Sequence, residues 1–376
     1  MMIYFDNAAT SKYKPRAVRK AAARALKDSA NPGRGSHRDA MRCAMIVHET
    51  RQELAEFLHG KGATVIFTKN CTEALNLAIL GTAKLGGHVV TTSLEHNSVL
   101  RPLSMLRKEG LISLTVVKIE DGTPVVESIK SAITEKTYLV AITSMSNVTG
   151  YTPPLAQIGE LCASNGIKFL VDGAQGIGHT AIDFDGMQMD MLCGAGHKSL
   201  HGAQGTGFLI YGKGTFITPL LYGGTGTESD NLLQPILPPE SLESGTLNLT
   251  GIAALGEGVR WTMKNQRKIN AKISDISEYL HDKAAAFPEI KIHSVKGSPF
   301  LTFSLPKERT ERAADLLNER YNIAVRYGLH CAPLALGKGA DTPTVRISIG
   351  ANNTLRQAKR LIRAMQEILR KDFRQK

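Results

Sequence analysis

Apolar residues fall in short continuous runs at 64–68, 88–92, 114–119, 138–144 and 168–171. Each run is rich in Val, Ile, Leu and Thr and is bounded by turn residues, which predicts a buried strand. Between the runs, apolar positions recur every three or four residues. This predicts helices over 72–83, 98–108, 125–134 and 155–165. Pro15 opens an earlier helix through about Leu26, after a short strand at 3–5. Residues 31–35 form a loop, and Ser36 can cap a helix that carries Ala40 to Leu58. Fully apolar strands that alternate with helices imply a mostly parallel sheet covered on both faces, an α/β fold.

The rhythm changes after Gly212. Residues 213–250 read as loops, with Gly223-Gly224, Pro235 and Pro238-Pro239. A long helix is predicted over 251–286. Beyond Pro288 come strands at 300–305, 323–326 and 345–349, a helix over 310–321 and a last amphipathic helix. The expected organisation is a large domain over 16–257 and a smaller α+β domain built from 1–15 and 258–376.

Composition narrows the class of protein. The chain has 376 residues, 42% hydrophobic and 21% charged, ordinary for a globular protein with ample core. No apolar stretch approaches the roughly 18 residues that a membrane-spanning helix needs. The N-terminus shows no basic-then-apolar leader. Five cysteines, with no CxxC pair and no metal-ligand spacing, predict free thiols, a cytoplasmic protein and no metal site. The net charge is +12, and part of it lies on the last helix as Arg356, Lys359, Arg360, Arg363, Arg370, Lys371, Arg374 and Lys376. A solvated outer face or an acidic partner explains that concentration. Aromatic interleaving of the kind a nucleic-acid platform uses is missing.

In an open parallel sheet, ligands collect at the carboxyl ends of the strands. Lys69-Asn70-Cys71-Thr72-Glu73 follows the run at 64–68 and opens a helix, a phosphate-binding arrangement. His96 follows 88–92, and is either a satisfied loop histidine or a ring that stacks on a planar ligand. Asn147 follows 138–144, and Asp172 and Gln175 follow 168–171. His197 and Lys198 follow the run at 189–192, with Lys198 lying 26 positions beyond Asp172. A lysine in a glycine-rich corner between buried strands becomes a nucleophile if burial lowers its pKa. Pyridoxal 5'-phosphate uses all of these groups: an amine for its aldehyde, a carboxylate at its ring nitrogen, donors to its phenolate, a flat ring partner and a helix N-terminus for its phosphate. The glycines at 202, 205 and 207 precede a strand rather than a helix, which argues against a dinucleotide loop.

These motifs resemble, in order and over nearly the whole chain, the cysteine desulfurase and selenocysteine lyase group of class V aminotransferase-like, fold type I PLP-dependent enzymes. Residues 4–10, 67–76, 95–98, 146–150, 171–175, 197–198 and 243–248 carry the likeness. The resemblance implies that Lys198 holds the cofactor covalently and moves protons on the substrate. It implies that Asp172 pairs with the ring nitrogen and Gln175 donates to the phenolate. His96 would stack on the ring and act in acid-base steps. Thr72, His197 and the Cys71 amide would hold the phosphate, and Asn147 would also lie at the cofactor. Thr246 would reach a partner subunit's cofactor in a homodimer. Asn147, Arg346, Asn7 and Ala8 would bind the substrate. Ala195 departs from the serine often found three residues before the lysine, so one phosphate donor is replaced or lost.

Cys331 follows a strand of the smaller domain, beside His330 and near Arg326, a setting that favours thiolate. With the resemblance, it becomes the thiol that takes sulfur from L-cysteine as a persulfide and leaves L-alanine. Its Arg-x-Gly-x-His-Cys-Ala context resembles a branch that often passes sulfur to a separate acceptor protein. The alternatives are a selenocysteine lyase or another enzyme of the same fold, or, from a different class, a non-catalytic basic scaffold. The other four cysteines are expected to be structural.

Overall fold

The computed structural model describes residues 2–33, 35–120, 122–337 and 343–371. Arg34, Arg374 and Lys376 lie outside the described residues. The elements in chain order are β1 (Ile3–Tyr4), α1 (Arg16–Lys27), α2 (Arg38–Phe57), β2 (Thr64–Thr68), α3 (Cys71–Gly81), β3 (Gly87–Thr92), α4 (Asn97–Lys108), β4 (Ile112–Val117), α5 (Val125–Ala132), β5 (Thr137–Thr143), α6 (Leu155–Ser164), β6 (Lys168–Asp172), β7 (Met191–Ala195) and β8 (Gly207–Tyr211). They continue with α7 (Leu249–Ala284), β9 (Lys291–Ile292), β10 (Phe300–Ser304), α8 (Lys307–Glu319), β11 (Ile323–Ala324), β12 (Arg326–Gly328), β13 (Thr344–Ser348) and α9 (Leu355–Lys371). The chain divides into two compact units.

The larger unit comprises residues 14–144 and 153–264. Its seven-stranded sheet has the order β2-β8-β7-β6-β5-β3-β4. Strands β3 to β7 pair in parallel, as continuous apolar runs between helices predict. β8 runs antiparallel to both β7 and β2. Two reversals restore the direction, so β2 points the same way as β3 to β7. The carboxyl ends of six strands therefore share one edge. The core is the face of α3 and α4 packed on the sheet, including Leu75, Ile79, Leu103, Leu139 and Leu209. Asn70 caps α3 by accepting the Glu73 amide at 2.9 Å. The cap of α2 is His37, through Nδ1 and the Ala40 amide, and not Ser36 as the sequence suggests. A histidine imidazole can fill the role of a serine hydroxyl when its unprotonated nitrogen faces the first turn.

The smaller unit comprises residues 1–13, 145–152 and 265–376. It holds the sheet β12-β13-β10-β9 and the parallel pair β1-β11. Its core gathers Phe5, Leu301, Phe303, Leu317, Val345, Ile347 and the inner face of α9. In α9, Ala358, Leu361, Ile362, Met365 and Leu369 are buried, while Arg356, Lys359, Arg360, Arg363, Arg370 and Lys371 are exposed. Segment 145–152 is too short to show a period of its own. It joins this unit through Thr302, whose hydroxyl donates to the Val148 carbonyl at 2.7 Å, and through the Val295 amide, which donates to the Thr149 carbonyl.

Candidate active site

The shared edge of the larger unit collects most of the residues singled out in the sequence. α3 starts there, immediately after β2. The amides of Cys71 and Thr72 sit in its first turn, where no carbonyl of the helix can receive them. A Cβ at Gly207 on β8 would lie 2.3 Å from the carbonyl carbon of Asn70 and 2.7 Å from the Cys71 nitrogen. Only glycine allows β8 to approach this turn so closely. The Thr72 hydroxyl lies 2.8 Å from that of Ser98, and Ser98 lies 3.0 Å from Nδ1 of His96. His96 is the N-cap of α4, with Nδ1 accepting the Ser98 amide at 3.1 Å. That bond leaves the ring proton of the neutral imidazole on Nε2.

Asp172 ends β6 and is buried. Its Oδ1 accepts the Ala174 amide at 2.9 Å and faces the Cys71 thiol at 3.7 Å. Burial first, and then the Asp172 carboxylate, push the Cys71 thiol well above its usual range, while the Lys198 ammonium pulls it down. Asp172 and Lys198 therefore both act on one thiol at the start of α3. Cys193 is raised likewise by burial and Asp172. Neither thiol is a reactive one. Gln175 is buried three residues beyond Asp172.

Lys198 lies in a tight turn after β7. The Gly196 amide donates to the Thr206 carbonyl, the His201 amide to the Lys198 carbonyl, and the Gly202 amide to the Gly196 carbonyl at 2.7 Å. The two histidines flanking this turn differ. His201 is buried edge-on to Trp261, with ring centres 4.7 Å apart, which is packing. His197 is held neutral, its pKa lowered to about 4 by burial and by the Lys198 and Lys14 ammonium groups. Lys14 was not apparent from the sequence. Its ammonium donates to the His197 carbonyl at 3.1 Å, and burial lowers its pKa to about 8. The signal was a lysine next to the proline that opens α1, indistinguishable by pattern from a solvated one. Thr246 lies in the loop before α7, lining cavities of about 550 and 460 Å³ together with Glu243, Gly245 and Leu247. Glu243 fixes that loop through Arg51 and the Phe67 amide.

The smaller unit brings together the remaining candidates. Arg346 on β13 is buried, with Nη1 donating to the Asn147 carbonyl at 2.9 Å and Nη2 lying 3.6 Å from Asp6. Burial lowers its pKa to about 10, against the pull of Asp6. Its Nε–H is buried without an acceptor among the described residues. Asn147 is buried and donates its amide to the His330 carbonyl at 2.7 Å. Asn7 donates to the Ser348 carbonyl and to Asn353, and the Ala8 amide donates to the Ser348 hydroxyl. Asp6, which the sequence pattern did not single out, clamps Arg326 through two bonds of 3.0 and 2.8 Å. A carboxylate inside the opening motif was its only signal.

Cys331 is the one exposed cysteine of the five; Cys43, Cys71, Cys162 and Cys193 are buried. It and His330 both adopt left-handed backbone, with φ of 57° and 53°, uncommon for residues other than glycine. Arg326 and Arg346 both lie within electrostatic reach of it. His330, the neighbour noted in the sequence, carries no charge to the thiol. It is buried, bonded to Thr344 at 2.9 Å, and its pKa falls to about 3 through burial and the two arginines. Positive charge near the thiol comes from the guanidinium groups.

The carboxyl edge of a mostly parallel sheet thus joins a helix N-terminus, a buried carboxylate and a turn lysine in one α/β scaffold. A family model for class-V aminotransferases matches residues 3–361, and the chain belongs to that family. A probable cysteine desulfurase of Methanothermobacter thermautotrophicus is 32% identical, over 97% of this chain and 94% of its own. The apo structure of a cysteine desulfurase from Thermococcus onnurineus superposes with a TM-score of 0.91 at 29% identity, covering 98% of this chain and 95% of that one. The cysteine desulfurase CsdA from Escherichia coli gives 0.87 at 27% identity, covering 98% and 95%. The fold is the fold type I arrangement expected from the sequence.

Proposed function

We propose that this protein is a PLP-dependent cysteine desulfurase, which converts L-cysteine to L-alanine and keeps the sulfur on Cys331 as a persulfide. The observation that carries this reading is Cys331 itself, an exposed thiol on left-handed backbone within electrostatic reach of two arginines, in a chain whose other cysteines are buried. The donor set at the sheet edge fits pyridoxal 5'-phosphate: first-turn amides for the phosphate, a buried carboxylate for the ring nitrogen, and a turn lysine for the aldehyde. The bound cofactor supplies an electron sink for the carbon skeleton of the substrate.

The chain's own groups do the rest. Asp172 would pair with the ring nitrogen. Gln175 would donate to the phenolate, and His96, with its proton on Nε2, would cover the ring. Thr72, His197 and the Cys71 amide would hold the phosphate. Lys198 would anchor the ring and move protons at the substrate carbons. Asn147 and Arg346 receive the substrate carboxylate, with Asn7 and Ala8 beside them, and the unmatched Nε–H of Arg346 supplies one arm of the fork. The Cys331 sulfur attacks the substrate sulfur. The S–S bond forms as the carbon–sulfur bond breaks, its electron pair passes to carbon, and a proton completes alanine. We place the cofactor-binding domain over 16–257. We place the enzyme in the cytoplasm as a homodimer in which Thr246 completes the partner's phosphate site, and we expect a separate acceptor protein to collect the sulfur.

The test is product analysis with L-cysteine and L-selenocysteine, on wild type and Cys331→Ala. Purified protein should absorb in the visible range, and borohydride should fix the cofactor on Lys198. Cys331→Ala should keep that absorbance and lose alanine formation from cysteine. Undiminished turnover of cysteine by this variant would favour a lyase or transaminase, and a protein that never takes up the cofactor would be a scaffold.

A further inference from the structure

Glu95 sits one residue before His96 at the carboxyl edge of the larger sheet and is fully buried. Its Oε1 accepts the Thr92 hydroxyl at 2.6 Å, and that hydroxyl in turn accepts the Leu94 amide. The main-chain amide of Thr143 also donates to the carboxyl. Thr92 ends β3 and Thr143 ends β5, and Thr143 is the register partner of Asp172 on β6. The carboxyl thus ties two strand ends together directly beside the strand that carries Asp172. Its Oε2 is buried with no partner among the described residues.

We propose that Glu95 is a positioning residue for His96, a carboxyl clamp across the ends of β3 and β5 that fixes the turn from which the ring projects. The clamp works as the neutral acid. No lysine or arginine among the described residues forms an ion pair with it, and the charged group that acts on it, Asp172, repels a second anion. Burial, outweighing the bonds from Thr92 and Thr143, pushes its pKa up to about 8. His96, the titratable neighbour in the chain, has Nδ1 turned to the Ser98 amide. Glu95 thereby serves as a neutral acid at the same sheet edge that carries Asp172.

The inference rests on the proposed role of His96, and its test separates the two. Glu95→Gln keeps the shape and neutrality of the clamp, whereas Glu95→Ala removes it. The melting temperature of the cofactor-free protein is measured for wild type and Glu95→Gln at pH 5 and pH 8.5. The folded pKa lies above the unfolded one, so wild type loses stability between about pH 4.5 and 8 as the buried group is driven to ionise. Glu95→Gln should therefore gain on wild type by several degrees more at pH 8.5 than at pH 5. A gain independent of pH would overturn the neutral clamp, whether or not the enzyme reading holds. In the loaded enzyme, Glu95→Ala should lower kcat on the order of ten-fold with KM little changed, and Glu95→Gln should restore it at pH 7. Equal loss in both variants would show that the carboxylate charge is needed, and would sink the proposal.

Discussion

Two buried side chains of the smaller unit lend themselves to single substitutions. Arg346 has Nη1 on a main-chain carbonyl, Nη2 near Asp6 and Nε unmatched. A lysine would keep the charge and lose the fork. Arg346→Lys should raise KM for cysteine by about 10- to 100-fold, the worth of a charge-assisted bond. Steady-state kinetics checks this, and an unchanged KM would remove Arg346 from the substrate site. His330 bears on pH. Its folded pKa of about 3 lies below the ordinary 6.5, so the neutral ring's contribution is complete above about 6.5 and lost as pH falls towards 3. His330→Gln should flatten the acid limb of the stability curve by a few kcal/mol, since each tenfold change in proton affinity between the folded and unfolded chain is worth about 1.4 kcal/mol. Denaturant melts at pH 4 and pH 7 check this, and equal slopes in wild type and variant would count against a neutral buried ring. The histidine was visible in the sequence as a neighbour of the thiol. Its neutrality was not, because that depends first on burial and then on Arg346 and Arg326, which only the folded chain brings to the ring.

The start of α3 shows what local pattern can and cannot carry. Asn70, the helix and the apolar run before it were legible, since caps and periodicity are local. That β8 runs antiparallel between β2 and β7 was not, because a continuous apolar strand reads the same in either direction. The glycine at 207 makes sense only with that topology. Gly207→Ala would drive a methyl into the Asn70 carbonyl, and the helix start must move to admit it. The expected result is weaker binding of pyridoxal 5'-phosphate by about ten-fold or more, with a smaller loss for pyridoxal, which lacks the phosphate. Titration of the visible absorbance with each aldehyde measures both. Equal affinities in wild type and variant would mean that the phosphate lies elsewhere.

At the scale of the whole molecule, the change of rhythm after Gly212 was legible. The transfer of 145–152 to the smaller unit was not, because its ties to Val295 and Thr302 cross about 150 residues of sequence. The loops at 213–250 expose Phe216, Tyr222, Leu232, Leu233, Ile236 and Leu237, more apolar surface than a lone subunit ordinarily leaves in water. For the proposed homodimer, Leu232→Asp combined with Leu233→Asp should shift sedimentation from dimer towards monomer at micromolar concentration. A variant that sediments like wild type would place the contact on another face. No helix among the described residues is long and apolar enough to cross a membrane.

The five cysteines are unevenly placed, and that makes the protein its own sulfur gauge. Four sulfur atoms lie inside the protein, and only the one at position 331 meets solvent. A mild alkylating reagent, applied to the native protein without denaturant, should add one mass equivalent quickly and four more only after unfolding. Prior incubation with L-cysteine should convert that fast site to a form that still alkylates but releases its label under reductant, so mass spectrometry of a single peptide would read the sulfur-loaded fraction of the enzyme.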